Sequence, residues 1–487
     1  MAEQQETGHA RLVAPLRPDL WRLLEPAVRA VRRAGLEYEA LGKYTPRLSV
    51  PRFSVNDAGW PSMTARDELI PRQGPIDWGS LVGLKKAQLV PLGVGDIAEV
   101  AAVVSAVCGE PELAARLSLP RLSKDGQSTD AGRVAFDVVR LIADIVGRAE
   151  ALGVEDGEGL LGIYVEREAA ILADRLTGDL LIPLLMVRFN EVDVLELGSD
   201  VSIERIDEAT QRARARPVSS SENPYLTAAA SHAIVIRDAE FTNPHWLTRV
   251  LRGWEEELDR ARIEVVCQAI EVATGRPVGY AEVWMRPKGW ADGWIYDLPA
   301  LHSVQTVKRY PTELNDGPVW NTAGAAVSAD DLVNLPTIFT NLRSAGPRVL
   351  LAARRLFQSH LRTEDDDIVI DACIGIEALV GEGRDELTHR MSQRAATALA
   401  RSSLDADAPR IYAVMKRVYG ERSKIVHGIG RKADHLMFEE RRFSTSETAL
   451  VLLRYLLLST TESSPAWTPA DLDRAILHAV NAHTLKD

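Results

Sequence analysis

The residues best placed for chemistry stand near the C-terminus, in Tyr419-Gly-Glu-Arg422-Ser423-Lys424-Ile425-Val426-His427-Gly428. An arginine and a histidine five positions apart are the minimal kit for breaking RNA without a metal. RNA carries its own nucleophile: the 2′-hydroxyl attacks the adjacent phosphorus in line, so a protein need supply only a base, an acid and stabilisation of charge on the phosphoryl oxygens. Histidine, with an ordinary pKa of about 6.5, can take or give the proton. Arginine offers a fixed fork of donors to those oxygens as negative charge builds. Ser423 or Lys424 could orient the backbone. DNA lacks the 2′-hydroxyl and would not be cut this way.

Both residues fall at the end of a helix expected over 409–427. At about 100° per residue, Ile411, Met415, Val418 and Ile425 share one stripe, and Arg422 lies within it. A guanidinium against apolar surface must face a partner helix, a partner subunit or a site, because leaving it unpaired there is too costly. Glu377, in line with Ile370 and Ile374 on a helix expected over 367–380, could be that partner, as could Asp371. The pair would then merely organise the helices. His427 is rotated roughly 140° from Arg422 and stands about 7.5 Å further along the axis, so a straight helix makes them diverge. They converge on one phosphate if the last turn loosens toward Gly428, or if two chains pair around one cleft. Otherwise the imidazole is a cap, favoured by the negative helix end.

The elements that must position them read as a bundle. Helical patterns are expected over 348–361, 367–380, 385–400, 409–427 and 444–459, with Pro409 at a helix start, Gly381 and Gly428 after helix ends, and Ser444 with Glu447 as a capping box. The fold class expected is α+β and multidomain: residues 1–215 mainly helical with a hairpin at 192–206, residues 216–332 a small β-rich middle domain, and residues 333–487 an all-α bundle. In the middle part, 232–237 and 263–272 read as strands, followed by alternation at 278–285 across a Thr274-Gly275 turn. Residues 212–223 read as a linker. Trp284, Trp290, Trp294 and Trp320, beside Arg286 and Lys288, could stack on bases or sugars, or simply pack in a small sheet.

Three cysteines in 487 residues, far apart and with no CxxC pair, indicate neither a disulfide framework nor a zinc site, and no cofactor is expected. The absence of a signal-like start and of any run of roughly 20 apolar residues fits a cytoplasmic protein with no membrane segment. A net charge of −12 argues against bulk coating of nucleic acid, so any contact must be local. Between Arg384 and Arg442 there are 13 Lys/Arg against 8 Asp/Glu, an excess of five. Arg390, Arg394 and Arg401, on one side of their helix, form either a phosphate track or a solvated face laced with ion pairs.

In three blocks the chain resembles the HEPN superfamily, and more specifically the Apea-like HEPN domains. The blocks are Asp367-Ile-Val-Ile-Asp-Ala-Cys-Ile-Gly-Ile-Glu377-Ala-Leu-Val, then Glu386-Leu-Thr-His-Arg-Met-Ser-Gln-Arg394-Ala-Ala, then Tyr419 through Gly428. The resemblance covers residues 333–460. It implies a metal-independent endoribonuclease acting as a homodimer through the C-terminal bundle, with RNA as substrate and a toxin–antitoxin, phage-defence or RNA-processing role. By position, Arg422 would stabilise the phosphate and His427 act as general acid/base, with Ser423, Lys424, Glu377 and Tyr419 in support. An antitoxin or trigger protein would be a further partner. Other HEPN domains only dimerise or hold RNA, which is the main alternative. A third reading makes the Trp-rich region a carbohydrate or nucleic-acid binder and the bundle a scaffold.

Two weaker signals are set aside. Leu92-Gly93-Val94-Gly95-Asp96 imitates a dinucleotide-binding turn but lacks a βαβ frame, and Asp96 is expected to cap the next helix. Glu364-Asp365-Asp366-Asp367 reads as dipole complement at a helix start rather than a metal site.

Overall fold

The computed structural model describes residues 14–484 except 49–51, 58, 65–73, 87–89, 118–120, 124–125, 129–130, 219–227, 244–253, 296–297, 312–325, 383–387, 403, 405, 430–434, 439–440 and 463–465. Its architecture is α+β. Helices α1 (Pro18–Ala40), α2 (Ala98–Cys108), α3 (Ala131–Leu152) and α4 (Gly157–Leu172) form an N-terminal layer. Apolar residues at three- and four-residue spacing, such as Leu24, Val28 and Val31, bury one stripe of α1 against Val138, Ile142 and Ile145 of α3 in one core cluster. Asp156 opens α4 by accepting from the Gly159 amide at 2.6 Å. Asp96 does not cap α2, whose N-cap is Ile97 with no side-chain bond.

An antiparallel six-stranded sheet follows, built from β1 (Arg175–Pro183), β2 (Val194–Glu196), β3 (Val201–Arg205), β4 (His232–Thr242), β5 (Tyr280–Pro287) and β6 (His302–Arg309), in the order β6-β5-β1-β4-β3-β2. The hairpin expected at 192–206 is the β2–β3 pair, with Ile203 opposite Leu195. The sheet draws three strands from each side of residue 215. Central β1 is buried on both faces, which is why its sequence shows a continuous apolar run instead of alternation.

Two sequence expectations fail here. The segment 263–272 is not a strand but the body of helix α6 (Arg260–Thr274). Its β-branched residues imitate a strand, yet Asp259 caps the start by accepting from the Arg262 amide, and Gly275, at φ 66°, closes the end in the left-handed region. Thr274-Gly275 is therefore a helix end and not a hairpin turn. The expected linker at 212–223 is helical as far as the end of α5 (Glu208–Val218), with Thr210, Gln211, Ala213 and Arg214 buried; residues 219–223 lie outside the described residues.

The C-terminal part is a helical bundle: α7 (Leu335–Arg343), α8 (Pro347–Ser359), α9 (Asp365–Val380), α10 (Thr388–Ala400), α11 (Ala408–Val426), α12 (Thr445–Glu462) and α13 (Pro469–Thr484), with a short hairpin of β7 (His435–Phe438) and β8 (Arg441–Ser444) before α12. The hairpin and α13 were not anticipated. The capping box forms as expected, Ser444 N donating to Glu447 Oε2 at 2.7 Å and Glu447 N to Ser444 Oγ at 3.1 Å. Leucine-rich α12 is central, packing on α8, α9, α10 and α11 and burying Leu452, Leu453, Leu456 and Leu457 completely. Gly375 of α9 lets it approach: a Cβ there would lie 2.8 Å from Leu453 Cδ2.

Sheet and bundle share one apolar core through α6, whose Ile263, Val266, Cys267 and Ile270 join Ile182 and Ile234 of the sheet to Leu335, Phe357 and Leu456 of the bundle. Arg454, the charge inside the apolar run of α12, donates to the carbonyls of Val272 (2.9 Å) and Ala273 (2.7 Å) at the end of α6. That satisfies carbonyls the helix leaves open and fixes the bundle to the sheet layer. Among the described residues, no helix is long and apolar enough to cross a membrane.

Candidate active site

Helix α11 presents Ile411, Val414, Met415 and Val418 to the core, and Tyr419 is buried with them. One turn further, the same surface emerges at a cleft of about 520 Å³ between α8, α9, α10 and α11, lined by Arg348, Glu377, Glu382, Thr388, Met391, Tyr419 and Arg422 among others. That volume is within the range of small-molecule sites. Arg422 Nη2 lies 3.4 Å from Glu377 Oε1, with the guanidinium side chain 36% and the carboxylate side chain 31% exposed. The contact is long for a charge-assisted bond, which is ordinarily near 2.8 Å. Arg422 Nε is buried and has no hydrogen-bond acceptor among the described residues. Asp371, the other candidate partner, is already held by Arg355 (2.7 Å) and Arg362 (2.9 Å).

Two buried groups near the Glu377–Arg422 pair are chemically quiet. Burial first, then the charge of Glu377, pushes the Cys373 thiol up to about 12, against an opposing effect of Arg422. Burial likewise pushes the Tyr419 phenol well above its ordinary value, and among the described residues its hydroxyl reaches only Met391 Sδ, at 3.6 Å. Tyr419 therefore lines the cleft with its phenol protonated near neutral pH.

His427 is the C-cap of α11, at φ −90° and ψ 5°. Its exposed ring has no partner among the described residues. The helix does not loosen before it. Gly428, at φ 66°, ends the helix in a Schellman motif, its amide donating to Ile425 O (3.0 Å) and that of Ile429 to Lys424 O (2.9 Å). Regular geometry thus holds to the last turn, and within one chain the Arg422 and His427 side chains diverge. Only pairing of two chains leaves a route to one shared phosphate. Ser423 and Lys424 are exposed, the latter bonded to Glu421 at 2.6 Å.

Of the three arginines expected to form a phosphate track on α10, the structure withdraws Arg394. Arg394 is completely buried, donating to Asp473 of α13, Glu382 and the Val380 carbonyl at 2.7–3.0 Å. Arg390 bonds the same Asp473 at 2.6 Å. Arg401 is exposed at the helix end, away from the cleft lining. Arg394 is unavailable to RNA because its donors are spent on joining α10 to α13, a helix the sequence reading had not placed. Arg348 and Thr388, which do line the cleft, were missed because neither breaks the pattern of its own helix.

Among the described residues, the Trp-rich region offers no open stacking platform. Trp284 and Trp290 are buried; Trp284 Nε1 donates to Glu282 at 3.0 Å and Trp290 Nε1 to Thr177 O at 2.7 Å, with the Trp290 ring stacked on His302. Trp294 is half-buried, and Trp320 lies outside the described residues. Compared with known proteins, the chain matches no family model, no curated protein and no solved structure.

Proposed function

We propose that this chain is a metal-independent endoribonuclease of HEPN type that works as a homodimer through its C-terminal bundle. The observation that carries the reading is Arg422: a part-exposed guanidinium at the rim of the cleft whose one ion pair among the described residues is a long contact to Glu377. A buried Nε without an acceptor among the described residues is not peculiar to it, since the ion-paired Arg167 and Arg355 share that feature; what sets Arg422 apart is a part-exposed guanidinium, weakly paired, at the edge of a cleft. A phosphoryl oxygen would take its exposed side.

In the reaction, His427 of one chain removes the proton of the 2′-hydroxyl, whose oxygen bonds to phosphorus as the bond from phosphorus to the 5′-oxygen breaks. His427 of the second chain gives that oxygen its proton. The products are a 2′,3′-cyclic phosphate and a 5′-hydroxyl. Two imidazoles are needed and each chain supplies one, which is why the dimer is part of the proposal. Arg422 binds the oxygens that gain charge. By family resemblance alone, the setting is defence or a toxin-like role, with an antitoxin or trigger as partner.

The Glu377 contact also supports a second reading, in which the pair is structural and the bundle only dimerises or holds RNA. RNA incubated with the protein in EDTA separates the two. Cyclic-phosphate ends that disappear in Arg422→Ala and His427→Ala support the nuclease. Binding with intact RNA supports the second reading.

A further inference from the structure

Helix α11 carries a second polar cluster that the reaction above does not use. The Tyr412 hydroxyl lies 2.5 Å from His389 Nδ1, and the two rings meet edge to face with centroids 5.5 Å apart. His389 adjoins Thr388, which lines the Arg422 cleft. The Lys416 ammonium sits 5.7 Å from the centre of the Tyr412 ring. His389 and Lys416 are exposed and Tyr412 is half-buried. Among the described residues Lys416 has no carboxylate partner. With the phenol donating to Nδ1, the imidazole proton sits on Nε2, which also has no partner there. An ammonium and an imidazole N–H, both donors and both unengaged, suit an anion.

The placement of this cluster is specific. Lys416 and His427 are eleven residues apart, so on a regular helix they fall within about 20° of one another and about 16 Å apart along the axis. Exposed Gly420 and Ser423 lie between them, and a Cβ at Gly420 would meet nothing within 4 Å. The face from His427 to Lys416 is therefore low and open, bounded by a catalytic candidate at one end and a cation at the other. At roughly 3.4 Å per stacked nucleotide, its length corresponds to about five nucleotides.

Resting on the nuclease reading, we infer that a single RNA strand lies along this face of α11, with Lys416 and His389 holding a backbone phosphate several nucleotides from the one that is cut. Tyr412 is a positioning residue: it fixes the His389 tautomer and supports the ammonium with its ring. The enzyme then prefers single-stranded RNA long enough to reach both ends, and short fragments lose the second anchor.

The test compares labelled oligouridylates of two and eight nucleotides, bound to His427→Ala protein in EDTA and measured by anisotropy from 50 to 200 mM salt. Adding Lys416→Ala should weaken the octamer about tenfold, lower its log–log salt slope by about 0.7, as loss of one single-strand phosphate contact does, and leave the dinucleotide unchanged. Lys416→Arg should restore the slope, and His389→Ala should weaken the octamer about threefold. If both lengths respond alike, or the octamer ignores Lys416→Ala while Arg422→Ala still abolishes dinucleotide binding, the distal subsite is wrong and the nuclease reading stands. If neither oligonucleotide binds in any form, both fall together.

Discussion

Two arginines on neighbouring helices of the bundle show how differently one residue type is used. Arg394 of α10 is fully buried, with two bonds to Asp473, one to Glu382 and one to a backbone carbonyl. Arg422 of α11 is 36% exposed and, among the described residues, has one 3.4 Å ion-pair contact and no acceptor for its buried Nε. The first is saturated by the fold and joins α13 to the bundle. The second has donor capacity left over at a cleft. What separates these two arginines is how many charge-assisted contacts the native structure gives each and how much of the guanidinium it leaves exposed.

Substitution should break that comparison most sharply at the second site. Arg422→Ala and His427→Ala should each lower the rate of cyclic-phosphate formation by more than about 100-fold, as loss of a transition-state donor or a general acid/base does, while the melting temperature stays near that of wild type. A large drop in melting temperature for Arg422→Ala would instead make both arginines structural.

The reverse outcome is expected at the first. Arg394→Ala removes the buried guanidinium that ties α10 to the part-exposed Asp473 and Glu382, with Arg390 still beside Asp473, and should destabilise the protein by about 2–3 kcal/mol, the worth of lost hydrogen bonds to charged groups. Chemical denaturation measures this, and a shift below about 1 kcal/mol would show that α13 does not depend on the arginine.

The same cluster should respond to acid. Arg394 above all holds the Asp473 carboxylate well below the usual range; burial opposes it, and Arg390 adds a weaker lowering effect. A depressed folded value means that the stabilisation is complete above the unfolded value, about 3.9, and is lost as pH falls through the folded one. Urea denaturation between pH 5 and pH 2 should therefore show a steeper loss for wild type than for Asp473→Asn. Parallel curves would remove Asp473 from the account. The smallest effect belongs to Arg390→Ala, which gives up a half-exposed contact to Asp473. It should cost below about 1 kcal/mol and leave RNA cleavage unchanged, sharpening the contrast with Arg422.

Much of the bundle was legible in advance because its signals are local. The capping box at Ser444 and Glu447, the glycine after His427, and the apolar spacing of α9, α11 and α12 act within a few residues of themselves. The failures share a cause. Residues 263–272 carry β-branched side chains that suit a strand, but their position between sheet and bundle rewards a helix buried on two sides. The arginine-rich stretch from Arg212 reads as a linker, yet it is helical to Val218 and Arg214 is buried. In each case the deciding neighbour is distant in sequence.

By itself, the order of residues determined that Arg422 and His427 share one helix, that Gly428 stops it, and that an arginine within an apolar stripe requires a partner. Only the tertiary structure decided which partner. It took Asp371 for Arg355 and Arg362, spent Arg394 on Asp473, left Arg422 one long contact to Glu377, and kept α11 regular so that His427 diverges from it. Helix periodicity is local and can be read from spacing; the pairing of charges depends on which surfaces packing brings together, and spacing along a chain does not encode that.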